Sequence, residues 1–232
     1  FPPSVYSVPS VVIPWTEQPI HFLDFEGSVS SGILEYGVAT LHRGAITGLR
    51  TRLCRPKGVI LPQDTAVHGL TARDLAAEAP IADDWEYFAG LREGGPLAAH
   101  HAGAENSLLK SVWPYPRSSP DFARGAGRLA EWGPWVDTGP LCAQFRPGPG
   151  GRLEELIMNL GLSARLVAEA ARLCPPARRH FHAAPYDALA GALLLLELGR
   201  DEGFAGLTVR QLLAFSTLDP RKRAALTQPE LF

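Results

Sequence analysis

IHFLDFEG, residues 20–27, predicts a buried strand that ends at Gly27. Side chains alternate along a strand, so Asp24 and Glu26 are expected to face the same way at its carboxyl end. Two unpaired acids in an apolar strand are costly to bury, and a bound cation is the natural compensation. The alternative is a pair of solvent-facing acids on a half-exposed strand.

The flanking sequence predicts one α/β domain. Residues 33–41 and 45–54 predict a hairpin, and alternating helices and strands follow it, which is typical of an α/β fold. The further elements predicted are helices over 81–91, 104–113, 153–160, 164–172 and 185–198, and strands over 96–100 and 135–138. We expect a Pro-rich extended arm over 1–19, a domain over 20–215 and a C-terminal tail over 216–232, with two long loops in the Gly- and Pro-rich segment 114–151.

The composition is that of a globular protein. The chain has 232 residues, of which 46% are hydrophobic and 20% charged, and this excludes a disordered chain. A net charge of −2 excludes a global basic field. No apolar run approaches the roughly 20 residues of a membrane span, so no membrane partner is expected. The widely spaced cysteines, Cys54, Cys142 and Cys174, predict reduced thiols and a cytoplasmic location.

Two further segments combine histidine with an acid. LAAHHAGAE, residues 97–105, predicts a strand, a turn and a helix whose first turn carries Glu105; the helix dipole alone also explains an acid there. In HFHAAPYD, residues 180–187, Pro185 is typical of a first helical position, which places Asp187 in the first turn and His182 in the preceding loop. Helix capping is the alternative for Asp187. A zinc site built on the histidines is less favoured because no cysteine lies nearby.

These blocks, in this order, resemble the three motifs of the DEDDh branch of the DEDD exonuclease superfamily: FLDFEG at 22–27, AHHAGAE at 99–105 and H-x-A-x-x-D at 182–187. The segments 67–71, 136–138 and 153–162 resemble further family segments. The second motif normally reads A-H-N-A-x-F-D, whereas this chain has His101 in place of the Asn, Ala104 in place of the Phe and Glu105 in place of the Asp. Because Glu is longer than Asp, we expect the helix to sit back or the carboxylate to bind metal through water.

The resemblance implies an RNase H-like three-layer α/β fold with a mixed central sheet and helices on both faces. It also implies metal-dependent 3′–5′ hydrolysis of nucleic-acid ends, DNA more than RNA, with release of nucleoside 5′-monophosphates. Two Mg²⁺ or Mn²⁺ ions would be held by Asp24, Glu26, Asp187 and Glu105, and His182 would be the general base. The positive charge of the ions removes the objection that the net charge raises against a nucleic-acid partner.

Substrate and partner contacts are expected at other positions. The terminal nucleotide would be lined by the backbone of Gly27 and Ser28 and by His68, with Phe25 or Leu70 stacking on a base. Phosphates would meet Arg178 and Arg179, for which solvated charge is the alternative. QPELF, residues 228–232, resembles the peptide by which bacterial proteins dock on the sliding clamp, through Gln228, Leu231 and Phe232. Packing of this peptide back on the domain is the alternative.

Two other functions remain open from the residues. One is a catalytically impaired relative that binds nucleic-acid ends, a polymerase or a clamp, which the departures at His101 and Glu105 favour. The other is a zinc hydrolase that uses the histidines.

Overall fold

The computed structural model describes residues 14–125 and 127–227. Its strands and helices, in chain order, are β1 (Ile20–Ser28), β2 (Gly32–His42), β3 (Ala45–Leu53), α1 (Pro62–His68), α2 (Trp85–Gly94), β4 (Leu97–Ala99), α3 (Gly103–Val112), β5 (Ser119–Pro120), β6 (Arg128–Leu129), β7 (Val136–Asp137), α4 (Thr138–Phe145), α5 (Leu153–Asn159), α6 (Ser163–Leu173), α7 (Ala184–Leu198), α8 (Glu202–Ala205), α9 (Val209–Phe215) and α10 (Pro220–Thr227).

The central sheet is mixed and has the strand order β3-β2-β1-β4-β7. The long strands β1, β2 and β3 are antiparallel, and β4 and β7 continue the sheet in parallel with β1. Helices cover both faces, so the expected α/β fold, with its RNase H-like mixed sheet between two helical layers, is confirmed.

The first core joins one face of the sheet to α7. This helix is apolar nearly all round, and its buried side chains form one cluster with Ile20 and Phe22 of β1 and Ala39 of β2. Gly191 of α7 allows the close approach, since a Cβ atom there would lie 2.9 Å from the ring of Phe22. A continuous apolar helix buried on the sheet therefore fixes where the residues at its N-terminus lie.

The second core fills the opposite face with aromatic rings. Phe88 of α2 lies 5.2 Å from both Tyr36 of β2 and Trp113, measured between ring centroids. Phe25 of β1 joins this cluster, and Trp132 is fully buried in it. Because successive residues of β1 alternate between the two cores, Asp24 is directed to the α7 face.

Three predicted segments contain more structure than expected. The stretch predicted as two long loops holds β5, β6 and α4, and α4 begins where the Asp137 side chain accepts the N–H of Gly139. The segment predicted as a C-terminal tail holds α10, which packs on α9. The described part of the predicted N-terminal arm is docked on the domain: Trp15 is 2% exposed, and its Nε1–H donates to the carbonyl oxygen of Phe204 over 3.0 Å.

Candidate active site

Two carboxylates of the site come from the end of β1. Asp24 pairs with Gly37 of β2 and Glu26 pairs with Glu35, so both acids lie over the same part of the ladder. The register shifts between Glu26 and Gly27, and Gly27 has φ +136°, which favours glycine. The bulge thus ends the regular strand directly after the second acid.

Asp187 comes from the first turn of α7. Its Oδ2 accepts the backbone N–H of His182 over 2.9 Å, while its Oδ1 is buried without a hydrogen-bond partner. The helix reaches β2 closely because Gly37 has no side chain; a Cβ atom there would collide with the carbonyl group of Ala184. The N-terminus of α7 therefore lies directly beside Asp24.

Glu105 comes from the first turn of α3, as predicted for its segment. The side chain is 6% exposed, and its Oε2 is buried without a hydrogen-bond partner. The turn before the helix is fixed by Asp137, whose carboxylate accepts the N–H groups of His101 over 2.9 Å and of Ala102 over 3.0 Å. The charge of Glu105 contributes to the raised pKa of Asp24, although among the described residues Glu105 is not part of the group of ligand atoms that Glu26, His182 and Asp187 form.

The acids repel one another and are shielded from water. Burial, followed by the charges of Asp187, Glu26, Glu105 and Glu35, raises the pKa of Asp24 well above its ordinary range. Burial and the charges of Asp187 and Glu35 raise the pKa of Glu26 to about 8. Burial is also the main reason that the pKa values of Glu105 and Asp187 rise to about 7. The charge of Arg178 opposes the rise for Glu26 and Asp187 but does not offset it, so the pKa values of the four acids stay above their ordinary range.

A divalent cation fits this donor set. Ligand atoms of Glu26, His182 and Asp187 lie within 4.8 Å of one another. The buried, unpartnered oxygens of Glu105 and Asp187 are the kind of atoms that a bound ion would satisfy. Carboxylate oxygens favour Mg²⁺ or Mn²⁺ over softer metals.

His182 lies at the exposed edge of the acids. It has φ +62°, and His101 has φ +61°; both are in the left-handed region that residues other than glycine seldom adopt. The two histidines line the same cleft of about 620 Å³, together with Asp187, Phe181 and Arg152. Backbone strain of this kind is typical of functional sites.

The cleft wall opposite α7 is closed by a loop. The carbonyl oxygen of Gly151 lies 2.9 Å from Nε2 of His100 and 3.3 Å from Nε2 of His101. Nδ1 of His100 also lies 3.0 Å from the Thr138 hydroxyl. The two adjacent histidines therefore join the Gly-rich loop to the start of α4, and the structure does not gather them into a metal site within the described residues.

Solved structures resemble this chain over most of its length. Exonuclease X in complex with 5′ overhanging duplex DNA aligns with a TM-score of 0.60 and 23% identity, over 85% of this chain and 99% of that one. The nuclease domain of 3′hExo bound to rAMP, described as a DEDDh family member, aligns with a TM-score of 0.58 and 14% identity, over 83% and 97%. This chain therefore has the same fold as these exonucleases.

A moderately thermophilic Exonuclease I from Methylocaldum szegediense also shares this fold, with a TM-score of 0.59 and 13% identity. The alignment covers 88% of this chain but only 44% of that one, so this chain corresponds to less than half of that exonuclease. No protein-family model matches the sequence, and no curated protein matches it either.

The residues predicted to stack on a base, Phe25 and Leu70, lie in the interior of the fold. Phe25 is 7% exposed, and its ring centroid lies 6.0 Å from that of Phe88 in the second core. Leu70 is 6% exposed and packs with Leu34 and Leu75. Alternation along β1 explains Phe25: its neighbours face the site, so its own side chain faces the other core.

Two of the other residues predicted to contact the nucleotide, Ser28 and His68, form hydrogen bonds within the protein. The N–H of Ser28 donates to the Ser31 hydroxyl over 3.0 Å. His68 is 3% exposed, and its Nδ1 accepts the N–H of Leu70 over 3.0 Å. Gly27 lies in the bulge, next to the acids. His68 therefore offers no open surface to a nucleotide, whereas Gly27 and Ser28 are half-buried and their part in binding stays a prediction.

Three charged residues near the site have partners that the sequence did not predict: Arg178, Arg179 and Glu35. Arg178, predicted to contact phosphates, instead forms an ion pair of 2.6 Å with Glu35, whose side chain is only 1% exposed. Arg179 donates to the carbonyl oxygens of Cys174 and Ala171. The signal that marks Glu35 is an acid in the otherwise apolar run 33–41, in register with Glu26.

Several other expectations concern the rest of the chain. Gln228, Leu231 and Phe232 lie outside the described residues. The three cysteines are free and buried. Across 14–125 and 127–227, no helix is long and apolar enough to cross a membrane.

Proposed function

We propose that this protein is a metal-dependent 3′–5′ exonuclease that hydrolyses phosphodiester bonds at nucleic-acid 3′ ends and releases nucleoside 5′-monophosphates. One observation carries the proposal: ligand atoms of Glu26 from β1 and Asp187 from α7 lie within 4.8 Å of each other and of a His182 ring nitrogen, and the charges of Asp187, Glu26 and Glu105 add to burial in raising the pKa of Asp24. Such an arrangement is costly for the metal-free fold, which is typical of a site built for cations.

The roles follow from the donor set. Asp24, Glu26, Asp187 and Glu105 would hold two Mg²⁺ or Mn²⁺ ions, which supply the charge that stabilises the attacking and leaving oxygens of a phosphodiester. His182 would accept the proton of the attacking water, since its ring is exposed to the cleft and near two of the acids. The cleft would receive the terminal nucleotide beside Phe181.

DNA is the proposed substrate rather than RNA. Among the similar structures, Exonuclease X is in complex with duplex DNA and E. coli Exonuclease I with a dT13 oligonucleotide. Another is a 3′-exonuclease that recognises a histone mRNA stem-loop, so RNA ends belong in the test.

The test measures mononucleotide release from DNA and RNA single strands and from mismatched duplex ends, each labelled at the 3′ end, with Mg²⁺, Mn²⁺, Zn²⁺ or EDTA. We expect release from DNA ends with Mg²⁺ or Mn²⁺ and none from the Asp24→Asn variant. Zinc dependence together with an active Asp24→Asn variant would instead identify a zinc hydrolase. Retained binding of 3′ ends with no release under any metal would identify a relative that binds without cutting, as the departures at His101 and Glu105 suggest.

The clamp contact is proposed separately. A peptide of residues 228–232 should bind a bacterial sliding clamp directly, and replacing Leu231 and Phe232 with alanine should abolish binding. No binding by either peptide would remove this partner without affecting the proposed activity.

A further inference from the structure

A buried ion pair lies directly behind the acids. Arg178 and Glu35 meet as a fork: Nε lies 2.9 Å from Oε1, and Nη2 lies 2.6 Å from Oε2. The side chains are 13% and 1% exposed. A bidentate pair of this kind fixes the direction of both side chains.

Glu35 differs from the proposed metal ligands in how its oxygens are used. Oε2 also accepts the N–H of Ala184, the first residue of α7, over 2.9 Å. Both oxygens therefore have partners within the protein, whereas Glu105 and Asp187 each keep one buried oxygen without a partner. Although Glu35 pairs with Glu26 across the ladder, its bonds assign it to the loop before α7 and not to the cations.

Arg178 extends the connection to His182. Its Nη2 lies 3.4 Å from the carbonyl oxygen of His182, and its Nη1 donates to the carbonyl oxygen of His68 over 3.2 Å. On its other side, the N–H of His182 is held by Asp187. The backbone of His182 is thus bound at both its N–H and its carbonyl group.

This double attachment explains the unusual backbone of His182. A φ of +62° is unfavourable for a residue with a side chain, and it persists only where the surroundings hold it. Ala184 N–H to Glu35, His182 carbonyl to Arg178 and His182 N–H to Asp187 bind the turn from three directions. That backbone conformation sets the direction in which the His182 side chain leaves the main chain.

We propose that Glu35 and Arg178 are a positioning pair, which holds the loop before α7 so that the His182 ring faces Glu26 and Asp187. This role rests on the proposed function, in which His182 accepts a proton. A positioning pair affects turnover only while His182 is present. A pair that only stabilises the fold would have the same effect with or without His182.

A double-mutant cycle distinguishes a pair that positions His182 from a pair that only stabilises the fold. Arg178→Lys keeps the positive charge but cannot make the fork to Glu35 and also reach the His182 carbonyl. In otherwise unchanged protein, it should lower kcat by about tenfold or more with KM within about twofold, because misplaced catalytic groups cost rate. His182→Ala should lower kcat by roughly 10²-fold or more. In the His182→Ala background, Arg178→Lys should change kcat by less than about twofold.

Arg172→Lys is the matched control, because Arg172 also uses Nε and Nη2 on a glutamate, Glu169, on the far surface of α6. It should leave kcat unchanged in both backgrounds. If Arg178→Lys melts well below the unchanged protein, Glu35→Gln replaces it. The kcat of Glu35→Gln is then measured with and without His182→Ala.

The outcomes distinguish this inference from the proposed function. If His182→Ala turns over at the normal rate, the proton-acceptor role fails, and the positioning role fails with it. If His182→Ala is slow but Arg178→Lys loses the same factor in both backgrounds, only the positioning role is overturned. Calorimetric Mn²⁺ binding should be unchanged in Arg178→Lys, and its loss would reassign the pair to maintenance of the ligand set.

Discussion

Asp24 of β1 pairs across the ladder with Gly37 of β2, and Gly37 lies against the carbonyl group of Ala184 at the start of α7. The residue opposite the first acid is therefore the one whose missing side chain admits the helix that carries Asp187. The distance between the carboxylates of Asp24 and Asp187, which lie far apart in the sequence, therefore depends on Gly37.

Gly37→Ala should separate the acids. A Cβ atom would overlap the Ala184 carbonyl group, so α7 must move away from β2; overpacking of this kind costs about 1–3 kcal/mol. We expect a lower melting temperature and at least tenfold weaker Mn²⁺ binding, since metal geometry tolerates only a few tenths of an ångström. Gly48→Ala in β3 is the control, because nothing lies within 4 Å of its Cβ position. Normal metal binding by Gly37→Ala would contradict the packing argument.

Asp187→Asn should separate stability from function. The amide oxygen can still accept the His182 N–H, while the loss of charge relieves repulsion with Asp24 and Glu26. We expect the metal-free protein to melt at the same or a higher temperature, while nucleotide release falls by roughly 10²-fold or more because a proposed metal ligand is lost. The temperature rise that Mg²⁺ gives the unchanged protein should disappear. An unchanged rate would remove Asp187 from the ligand set.

The metal-free protein should lose stability as pH rises. The pKa of Glu26 is raised from 4.5 to about 8, so over that range the folded state retains a proton that the unfolded chain has released. Melting temperatures in EDTA should therefore fall between about pH 4.5 and 8, with the Glu26→Gln variant showing a shallower slope. Added Mg²⁺ should stabilise the protein increasingly over the same window, because it competes with protons for the carboxylates. A rise of stability with pH in EDTA would show that the acids are not buried together.

Glu105→Asp should lower activity even though it restores the residue that the DEDDh motif normally has. Glu105 already reaches the acids from a helix whose preceding turn is fixed by Asp137, so the shorter side chain would withdraw its carboxylate. We expect a loss of about tenfold or more in kcat, since small displacements of a ligand are costly. Glu86→Asp, at an exposed glutamate in the first turn of α2, is the control. Equal or higher activity in Glu105→Asp would indicate that the helix adjusts to the side chain.

Local sequence patterns were sufficient for much of the fold. The apolar alternation around Asp24, the hairpin that follows, and the helix starting near Pro185 are all predicted close to where the structure has them. The sequence analysis missed the helices α1, α4, α8, α9 and α10. Of these, α4 and α10 are joined by a contact between distant parts of the chain, the hydrogen bond from Arg223 to Gln144, which local periodicity cannot reveal.

The sequence by itself determined which acids exist and which strand and helix ends carry them, because alternation in β1 and the first-turn position in α7 are local properties. Only the tertiary structure decided which residues surround them. Phe25 turned inward because its neighbours face the site, and Arg178 was bound by Glu35, which lies 143 residues away along the chain. Long-range packing decides whether a charged or aromatic side chain is exposed to solvent or contacts another residue. Only an exposed side chain can contact a substrate.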